Sequence, residues 1–368
     1  MWPDTGQQIA NPNNPNTGTI TPSATAQNPF SAGNSGNFPA PTPFEQVGFF
    51  FDPRIKNAYS DQYNVGVARQ MGEATTVTLN YVGSSGHRLD VGGFYNTAPP
   101  GPGNPRLRSP YPYIAPTYWD RSTGTSNYNA LQLSVERRYA NDFSYSVAYT
   151  WSKSINTGGD GFFGVEGGVP QDPYHPGAFG SRSVAGTDLR NVLSVSTLYS
   201  VPLGKGKAHT TGNGALDYVL GNWQINNIFL ARSGLPFTPS IGGDSANTGN
   251  GNSGYLTANV IGDPHQGPRT ANQFFNTAAY AAPPIYTFGT AGRNSLRSAG
   301  FWNLDTSLFR KFPFGERYQL ELRAEAFNIF NHLTLDIPDG RFGDANFGRV
   351  TSTASVARQL QMGAKVTF

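Results

Sequence analysis

The stretch Phe143–Ser152, FSYSVAYTWS, alternates large apolar side chains with small ones. The large side chains are those of Phe143, Tyr145, Val147, Tyr149 and Trp151. Successive residues of a β-strand point to opposite faces, whereas a helix with 3.6 residues per turn would mix the two sets. The stretch therefore predicts a β-strand with one apolar face and one hydrophilic face.

The same period of two recurs along much of the chain. The segments are roughly 59–70, 74–83, 127–138, 143–152, 190–201, 221–232, 301–311, 317–328 and 356–368. FEQVGFFF at 44–51 is a tenth candidate, although Gly and Pro surround it. Residues 1–58 are rich in Asn, Pro, Thr, Gly and Ser, which indicates a loop-like or disordered segment. The pattern thus predicts two regions, with β-structure over 59–368.

The links between these segments alternate in length. Those after the first, third and seventh segments are short (QMGE, YAND and FPFGE), and those after the second, fourth, sixth and eighth are long. The fifth link, residues 201–221, is intermediate. In an antiparallel meander the odd links share one rim and the even links the other. Short turns on one rim and long loops on the other are typical of outer-membrane barrels. The predicted fold is all-β, an antiparallel transmembrane β-barrel meander of about nine to ten strands that forms a partial barrel.

The apolar faces of these strands are predicted to contact lipid. A tilted strand crosses a bilayer with about 9–11 residues, which is near the length of these segments. Aromatic side chains on the apolar faces form two bands, as expected where rings meet lipid headgroups. Near the turn rim they are Phe143, Tyr199, Trp223, Tyr318 and Phe368, and near the loop rim they are Tyr81, Trp151 and Trp302. The alternative is core packing inside a soluble sandwich.

Charged side chains follow the same division. Arg69, Arg137 and Arg310 fall on apolar faces at the turn-rim end, where a long side chain can extend to the headgroups. Predicted on the hydrophilic face are Glu136, Asp305, Glu321, Arg323 and Glu325, which would contact a plug domain or a solute, or simply line the lumen. We expect a curved, open sheet with a ragged loop rim. Gln359 and Lys365 should face its concave side, and Val366 and Phe368 its convex side.

The composition excludes several kinds of function. Of 368 residues only 13% are charged, about half the usual share, and the formal net charge of +3 gives no footprint for nucleic acid. The absence of cysteine excludes disulfides and thiol chemistry, and the five histidines lie far apart without an HExxH pair. No apolar run is long enough for a transmembrane helix, and the first residues lack the pattern of a signal peptide. We predict no enzyme activity, no metal and no cofactor.

Three loop-like motifs and a set of aromatics are weaker candidates. GSSGH at 83–87 is expected to enter a loop, and GKGKAH at 204–209 to form a turn. GGDSANTGNGNSGY at 242–255 could offer Asp244 to Ca²⁺, but its low acidic content favours a flexible loop. The aromatics Tyr111, Tyr113, Tyr118 and Trp119 are expected in long loops, where they would stack on a ligand or pack among themselves.

The sequence ends in a strand, RQLQMGAKVTF. Leu360, Met362, Val366 and Phe368 share one face and the last residue is aromatic. Such an ending resembles the assembly signal of outer-membrane proteins, whose strand edge pairs with the barrel-assembly machinery.

Residues 322–368 support a more specific resemblance. They resemble the C-terminal end of TonB-dependent receptors of the Oar-like group, through FNIFNH at 327–332, FGRVTST at 347–353 and the ARQLQMGAKVTF ending. The matching positions of the first motif are Phe327, Asn328, Phe330, Asn331 and His332. Stretches at 62–89, 126–139 and 220–238 are similar to the same receptors, so that the resemblance covers about residues 60–368.

The resemblance implies binding and uptake of an unidentified ligand across the outer membrane of a diderm bacterium. In such receptors TonB supplies energy through a plug domain inside a 22-stranded barrel. This sequence shows no plug domain and too few strands, so we expect it to be the C-terminal barrel portion of a larger receptor, as a fragment or as a truncated gene product. A structural or adhesive outer-membrane barrel and a secreted glycan-binding β-protein remain alternatives.

Overall fold

Nine long antiparallel strands dominate the part of the protein that the structure describes. The computed structural model describes residues 49–112, 116–158, 170–175, 178, 182–204, 207–249, 256–314 and 318–368. The strands are β1 (Tyr59–Met71), β2 (Thr75–Tyr95), β3 (Thr117–Ala140), β4 (Phe143–Asn156), β5 (Asn191–Ser200), β6 (Trp223–Arg232), β7 (Phe301–Phe314), β8 (Tyr318–Phe327) and β9 (Gln359–Thr367). Each pairs with its neighbour in sequence, and β1 and β9 are the two ends of the sheet. The predicted open meander is confirmed.

The register keeps the apolar side chains of all these strands on one side. Val65 of β1 pairs with Tyr81, Tyr81 with Leu131, and Leu131 with Trp151. At the other end of the sheet Leu308 pairs with Ala324, and Ala324 with Met362. A slip of one residue would turn a strand's apolar set to the opposite side. We call the side that carries these residues the apolar face, and the other side the polar face.

The links confirm two different rims. Residues 72–74, 141–142, 201–222 and 315–317 connect strands at the turn rim, of which 205–206 and 315–317 lie outside the described residues. Asn141 and Asp142 form a two-residue turn with φ values of 52° and 63°. Positive φ at both positions defines a type I′ turn, whose twist matches that of paired strands. Asn and Asp adopt this conformation more readily than most residues. Ala140 pairs with Phe143 beside the turn, and the register shifts between Arg137 and Ala140 before the long pairing of β3 with β4 begins.

Two short helices lie in the links. Helix α1 (Pro105–Arg108) belongs to the link between β2 and β3, and helix α2 (Gly214–Leu220) to the link between β5 and β6. The side chain of Asn213 caps α2 by accepting hydrogen bonds from the amides of Ala215 and Leu216, at 3.0 and 3.3 Å. In the described ranges, neither the helices' length nor their hydropathy suits a membrane span.

Strands β2 and β3 extend well past their predicted ends. Their pairing continues to Tyr95 and Thr117, with irregular register between His87 and Val91. The expectation that GSSGH enters a loop is therefore wrong, because residues 83–87 lie within β2. Glycine lowers strand propensity, which hid the extension, but here it makes room for a partner ring. A Cβ at Gly92 would collide with the ring of Tyr118 across the pair.

Several short strands complete the fold. Phe49–Phe51 runs parallel to residues 118–120 of β3, and Ser183–Val184 pairs with the end of β4. Of the tenth predicted segment, residues 44–48 lie outside the described residues. The remaining pairs are Ser240–Ile241 with Arg341–Phe342, Asn259–Val260 with Tyr280–Ala281, and Pro236–Phe237 with Leu296–Arg297, beside a 3₁₀ turn at Thr277–Ala279.

Among the residues described, an apolar core lies in the long links of the loop rim. Its buried members are Phe237, Ile241, Leu256, Ala258, Phe274, Phe275, Ala279, Tyr280, Ala291, Leu296 and Val350. We call residues 233–249, 256–300 and 328–358 the loop cap. The ring of Phe275 lies at its centre, with ring centroids of Phe237, Tyr280 and Phe347 at 5.8, 5.8 and 5.2 Å. The expected ragged loop rim is wrong for this region, because aromatic burial orders the links.

Replacing Phe275 by alanine is expected to loosen the loop cap while β1–β9 stay paired. Removing a packed Phe side chain costs about 3–5 kcal/mol. Hydrogen exchange followed by mass spectrometry should show faster exchange in 256–300 and unchanged protection in β4–β7. Phe330→Ala is the control, because Phe330 is 66% exposed. Equal loss of protection in β6 and β7 would contradict a cap that is stabilised separately from the sheet.

Candidate functional site

The apolar face carries large side chains that no protein layer covers. Val65, Val67, Trp151, Leu360 and Met362 are 68%, 64%, 57%, 73% and 87% exposed. Soluble monomers rarely expose a contiguous apolar patch of more than a few hundred Å². Within the described residues β1–β9 form a single sheet with no second sheet packed over Val366, which does not fit the sandwich alternative. Hydrocarbon is the environment that suits this face.

Tyrosine hydroxyls on the apolar face find polar partners near the loop rim. Those of Tyr63 and Tyr81 both donate to Oδ1 of Asn129, at 3.0 and 2.7 Å. The hydroxyl of Tyr149 donates to Oδ1 of Asn191 at 2.7 Å. Aromatic side chains with an apolar body and a satisfied polar tip are those that line membrane interfaces. The loop-rim aromatic band is therefore built from bonded Tyr–Asn groups as well as Trp151.

The turn-rim band contains both exposed and covered rings. Tyr199 packs against Phe143 at 6.1 Å between ring centroids, and Tyr318 is 58% exposed. Trp223 donates its indole N–H to the carbonyl of Val219 in α2, at 3.1 Å. Arg310 was expected to extend to the headgroups, and this expectation is wrong. Its side chain is only 2% exposed, because α2 covers it.

A polar triad interrupts the middle of the apolar face. Asn227 of β6 donates to the hydroxyl of Thr197 on β5 at 3.1 Å and accepts from the hydroxyl of Thr306 on β7 at 3.0 Å. An unbonded amide at this depth would be costly in hydrocarbon. The two threonines satisfy one donor and the acceptor of the amide, and they join three neighbouring strands.

The predicted lumen charges partly form an ion-pair group on the polar face. Glu321 accepts from Nε of Arg323 and lies 3.8 Å from Nζ of Lys311. Lys365 pairs in register with Glu321, and so shares this face as predicted. Glu136, farther along the sheet, lines a groove of about 530 Å³ in β3–β6 that combines polar side chains with the apolar Leu198 and Ile228. The groove lies on the side of the sheet that was predicted to be concave.

Asp305 belongs to a separate group, at the FNIFNH motif. Its Oδ1 accepts from the side chain of Asn303 at 2.7 Å and from the backbone amide of Asn328 at 2.8 Å. Asn328 is 4% exposed, with φ of 49°. Its side chain accepts from the amide of His332 at 2.9 Å and donates to the carbonyls of His332 and Val356. The motif therefore closes a turn that joins the loop-rim ends of β7, β8 and β9.

The other motif residues support the same turn. Asn331 has φ of 51° and accepts from the amide of Arg358 at 2.9 Å, directly before β9. The ring of His332 stacks on Trp302 with centroids 4.1 Å apart. Phe330 is exposed beside Trp302, and Phe327 ends β8. Positive φ explains the two asparagines, which sequence reasoning identified as a motif without a structural role.

The terminal strand presents the features of the expected assembly signal. Leu360, Met362 and Val366 pair with Ala326, Ala324 and Leu320 and therefore share the apolar face. Phe368 is 92% exposed. Strand β9 pairs with β8 along one edge, and its other edge has no strand partner among the residues described. Its recognition by the assembly machinery stays a prediction.

A cavity of about 420 Å³ enters the loop cap beside β5. It is lined by Arg190, Arg269, Arg297, His265, Pro264, Ser295, Phe237, Phe274, Phe275 and Leu296. Arg297 is fixed by an ion pair with Asp188 and donates to the carbonyls of Asp188 and Gly234, at 3.0 and 3.1 Å. The guanidinium of Arg269 lies 5.6 Å from the ring centroid of Phe274. The cavity thus combines three guanidinium groups with a wall of core aromatics, a combination that periodicity in the sequence does not reveal.

The carboxylates near this cavity do not neutralise it. In the described ranges no carboxylate lies within 4.0 Å of the guanidinium of Arg190 or Arg269. Asp263 accepts hydrogen bonds from the amide of His265 at 2.9 Å and the side chain of Gln266 at 3.1 Å. The bond from the His265 amide holds the pKa of Asp263 below its usual range. Asp263 is therefore ionised at neutral pH but forms no ion pair with Arg190 or Arg269 among the residues described. Because Asp188 pairs with Arg297 alone, Arg190 and Arg269 supply an excess of positive charge to the lining.

The remaining candidates have structural surroundings. Tyr118 and Trp119, expected in a loop, lie in β3, where their rings pack on Phe94 and Tyr95. Tyr111 is exposed, and Tyr113 lies outside the described residues. Asp244 accepts from the amide of Gly249 at 2.7 Å and the hydroxyl of Thr248 at 3.3 Å, and residues 250–255 are not described. No group of three His, Asp or Glu suited to a metal ion occurs among the residues described.

An uncovered apolar face, a polar groove behind it and two unequal rims define an outer-membrane β-barrel protein. Residues 2–361 match the family described as the outer membrane beta barrel domain, and the chain belongs to this family. The protein is accordingly placed in the outer membrane. Among curated proteins, no match to the sequence was found.

Solved outer-membrane proteins are similar in part. The transporter YddB from Escherichia coli gives a TM-score of 0.43 at 10% identity, covering 85% of this chain and 33% of that one. The pyoverdine receptor FpvA from Pseudomonas aeruginosa gives 0.43 at 10% identity, covering 85% and 30%. The iron transporter FrpB from Neisseria meningitidis gives 0.40 at 10% identity, covering 87% and 32%. The chain thus spans about a third of the length of these proteins.

Arginine in place of Val147 should reveal which face contacts lipid. Val147 lies midway along β4 on the apolar face, paired with Val135 and Val195. Arginine at the bilayer midplane of a barrel's lipid face costs about 2–4 kcal/mol. Urea titration of the protein folded into liposomes should show this loss for Val147→Arg and a much smaller change for Ser146→Arg, the adjacent residue on the polar face. Equal losses would contradict the assignment of the faces.

Replacing Asn328 separates the two roles of the motif turn. Asn328→Ala should destabilise the protein by about 1–3 kcal/mol through lost hydrogen bonds and by about 1–2 kcal/mol more through the positive φ. Asn328→Gly tolerates the positive φ, so this variant should lose only the stability that comes from the side-chain hydrogen bonds. Chemical unfolding of the two variants measures the difference. If both variants were as stable as the parent, the turn would not depend on the Asn328 side chain.

Proposed function

We propose that this chain is the C-terminal barrel region of a TonB-dependent outer-membrane receptor, and that it takes part in binding and uptake of a small anion. The observation that carries the proposal is the positively charged cavity in the loop cap. The cap lies on the loop rim, where the resemblance to Oar-like receptors assigns the outside of the cell. A ligand captured there is separated from the periplasm by the barrel, so that capture is the first step of uptake.

The shape and charge of the cavity favour a small ligand of several negative charges. A volume of about 420 Å³ falls within the range of pockets for small molecules. Guanidinium groups match carboxylate and phosphate oxygens with paired donors, and they stay charged at any physiological pH. The ion pair with Asp188 fixes Arg297 in place. Arg190 and Arg269 then supply the excess positive charge.

The open sheet supports a larger receptor barrel. Backbone N–H and C=O groups cannot stay unpaired in hydrocarbon, where each costs several kcal/mol. Strands β1 and β9 are free edges within the described part of the chain. Additional strands are therefore required to close the wall, and a plug domain inside that wall would be the part that TonB contacts. Uptake thus depends on segments beyond β1–β9.

The polar face and the terminal strand fit the same function. The group of Lys311, Glu321 and Arg323 lies inside the wall, where it would contact a plug domain or a passing solute. The free edge of β9, with Leu360, Met362, Val366 and Phe368, would pair with the barrel-assembly machinery during insertion. Binding and transport need no catalytic group, so we propose no enzyme activity.

Binding of citrate and of pyrophosphate to the protein in lipid nanodiscs tests the ligand class. Calorimetry at low salt should detect binding of at least one anion, weakened by added salt because the contacts are electrostatic. A charged hydrogen bond contributes about 1.5–3 kcal/mol, so Arg190→Ala and Arg269→Ala should each weaken binding about tenfold or more.

Arg341→Ala is the matched control, since Arg341 belongs to the loop cap but not to the cavity. Its affinity for both anions should equal that of the parent protein. The anion site would be contradicted if neither citrate nor pyrophosphate bound. It would also be contradicted if Arg190→Ala, Arg269→Ala and Arg341→Ala lowered the affinity equally. A structural or adhesive barrel would then be the better explanation of the loop cap.

A further inference from the structure

Helix α2 lies on the apolar side of the sheet at the turn rim. Arg310 pairs with Trp223 on β6 and with Leu322 on β8, which places its side chain on the apolar face. Its guanidinium donates to the carbonyl of Val219 in α2 and lies 5.5 Å from the ring centroid of Tyr218. Because the sheet and the helix contact the same guanidinium, α2 is fixed over the turn-rim end of the apolar face.

Aromatic rings complete the cover of Arg310. The guanidinium lies 4.0 Å from the ring centroid of Phe312 and 5.7 Å from that of Trp223. Tyr218 also approaches Phe312, at 6.0 Å between centroids. Cation–π contacts and one carbonyl acceptor thus replace part of the water around the charge, while Nε of Arg310 has no hydrogen-bond partner among the residues described. The helix removes a cation from the surface that is continuous with the lipid-facing wall.

The outer side of α2 is apolar and uncovered, whereas Tyr218 faces the sheet through its contacts with Arg310 and Phe312. Leu216, Val219 and Leu220 are 50%, 57% and 43% exposed. The acidic residue of the helix, Asp217, is turned inward and is 6% exposed. It accepts from the hydroxyl of Thr210 and from the amide and hydroxyl of Thr211, which hold the pKa of Asp217 below its usual range. The exposed surface of the helix is therefore uncharged.

We propose that α2 is a lipid-interface anchor, whose exposed Leu216, Val219 and Leu220 insert among the headgroups of the leaflet at the turn rim. The argument is continuity, because the helix extends an apolar face that already contacts hydrocarbon. Interfacial helices bury an apolar side at the boundary between headgroups and acyl chains in this way. The anchor fixes the height of β5–β7 in the bilayer and keeps Arg310 out of the acyl chains. The proposal depends on the membrane location of the sheet and not on ligand uptake.

Spin labels on single cysteines test the proposal directly, since the chain contains no cysteine. Labels at Leu216→Cys and Leu220→Cys are examined in the full chain, folded into vesicles of phosphatidylethanolamine and phosphatidylglycerol. Collision with oxygen reports lipid, and collision with nickel ethylenediaminediacetate reports water. Val147→Cys on the apolar face gives the lipid reference, and Ser196→Cys on the polar face gives the water reference.

Both α2 labels should give oxygen-to-nickel collision ratios several-fold above that of Ser196→Cys and below that of Val147→Cys, as at a headgroup depth. A ratio equal to that of Ser196→Cys would overturn the proposal, because the helix would then lie in water. Shielding from both reagents would also overturn it, because protein would then cover the helix. Retention of the folded band on unheated gels shows that each variant is folded before its label is interpreted.

Discussion

The pairing of β1–β9 in a register that keeps apolar side chains on one side is the constraint on which the rest depends. In hydrocarbon every backbone N–H and C=O group must find a partner inside the protein. The ladder supplies those partners, and the alternation decides which side meets lipid. The triad of Asn227, Thr197 and Thr306 follows the same rule for side chains, since the amide bonds to both hydroxyls. The wall is therefore specified by hydrogen bonding, and not by a packed interior.

Apolar burial acts elsewhere, in the loop cap. Phe275 and its neighbouring rings form a core that the hydrophobic effect stabilises in water, as in a small soluble domain. Two arginines tie this core to the wall, because the buried Arg293 donates to Asn156 at the end of β4 and the partly buried Arg297 pairs with Asp188. The cavity lined by Arg190, Arg269 and Arg297 lies where these two kinds of stabilisation meet. Its arginines are held by a rigid core on one side and by the strand ends on the other.

The sequence specified the wall far better than the cap. Strand positions such as Phe143, Tyr59 and Phe301 follow directly from a period of two, because each strand exposes its faces to two different solvents. The loop cap has no period, and the residues of its core come from links far apart in the chain, so their contacts were not predicted. The extension of β2 and β3 was hidden by Gly83 and Gly92, which look like loop residues until a ring from the partner strand fills their place. The FNIFNH motif was found by resemblance. Its role in the turn depends on the positive φ of Asn328 and Asn331, which the sequence alone does not predict.

Arg310 shows why local reasoning stopped short at the turn rim. An arginine on a lipid-facing strand has two ways to avoid the acyl chains, which are extension to the headgroups and cover by protein. The spacing of residues in the sequence predicted only extension to the headgroups, because it places Arg310 near the end of β7. The second requires α2, whose residues Tyr218 and Val219 are distant in sequence and reach Arg310 only through the pairing of β6 with β7. The same helix presents uncharged side chains outward, so that covering the cation and contacting the lipid interface are consequences of one arrangement.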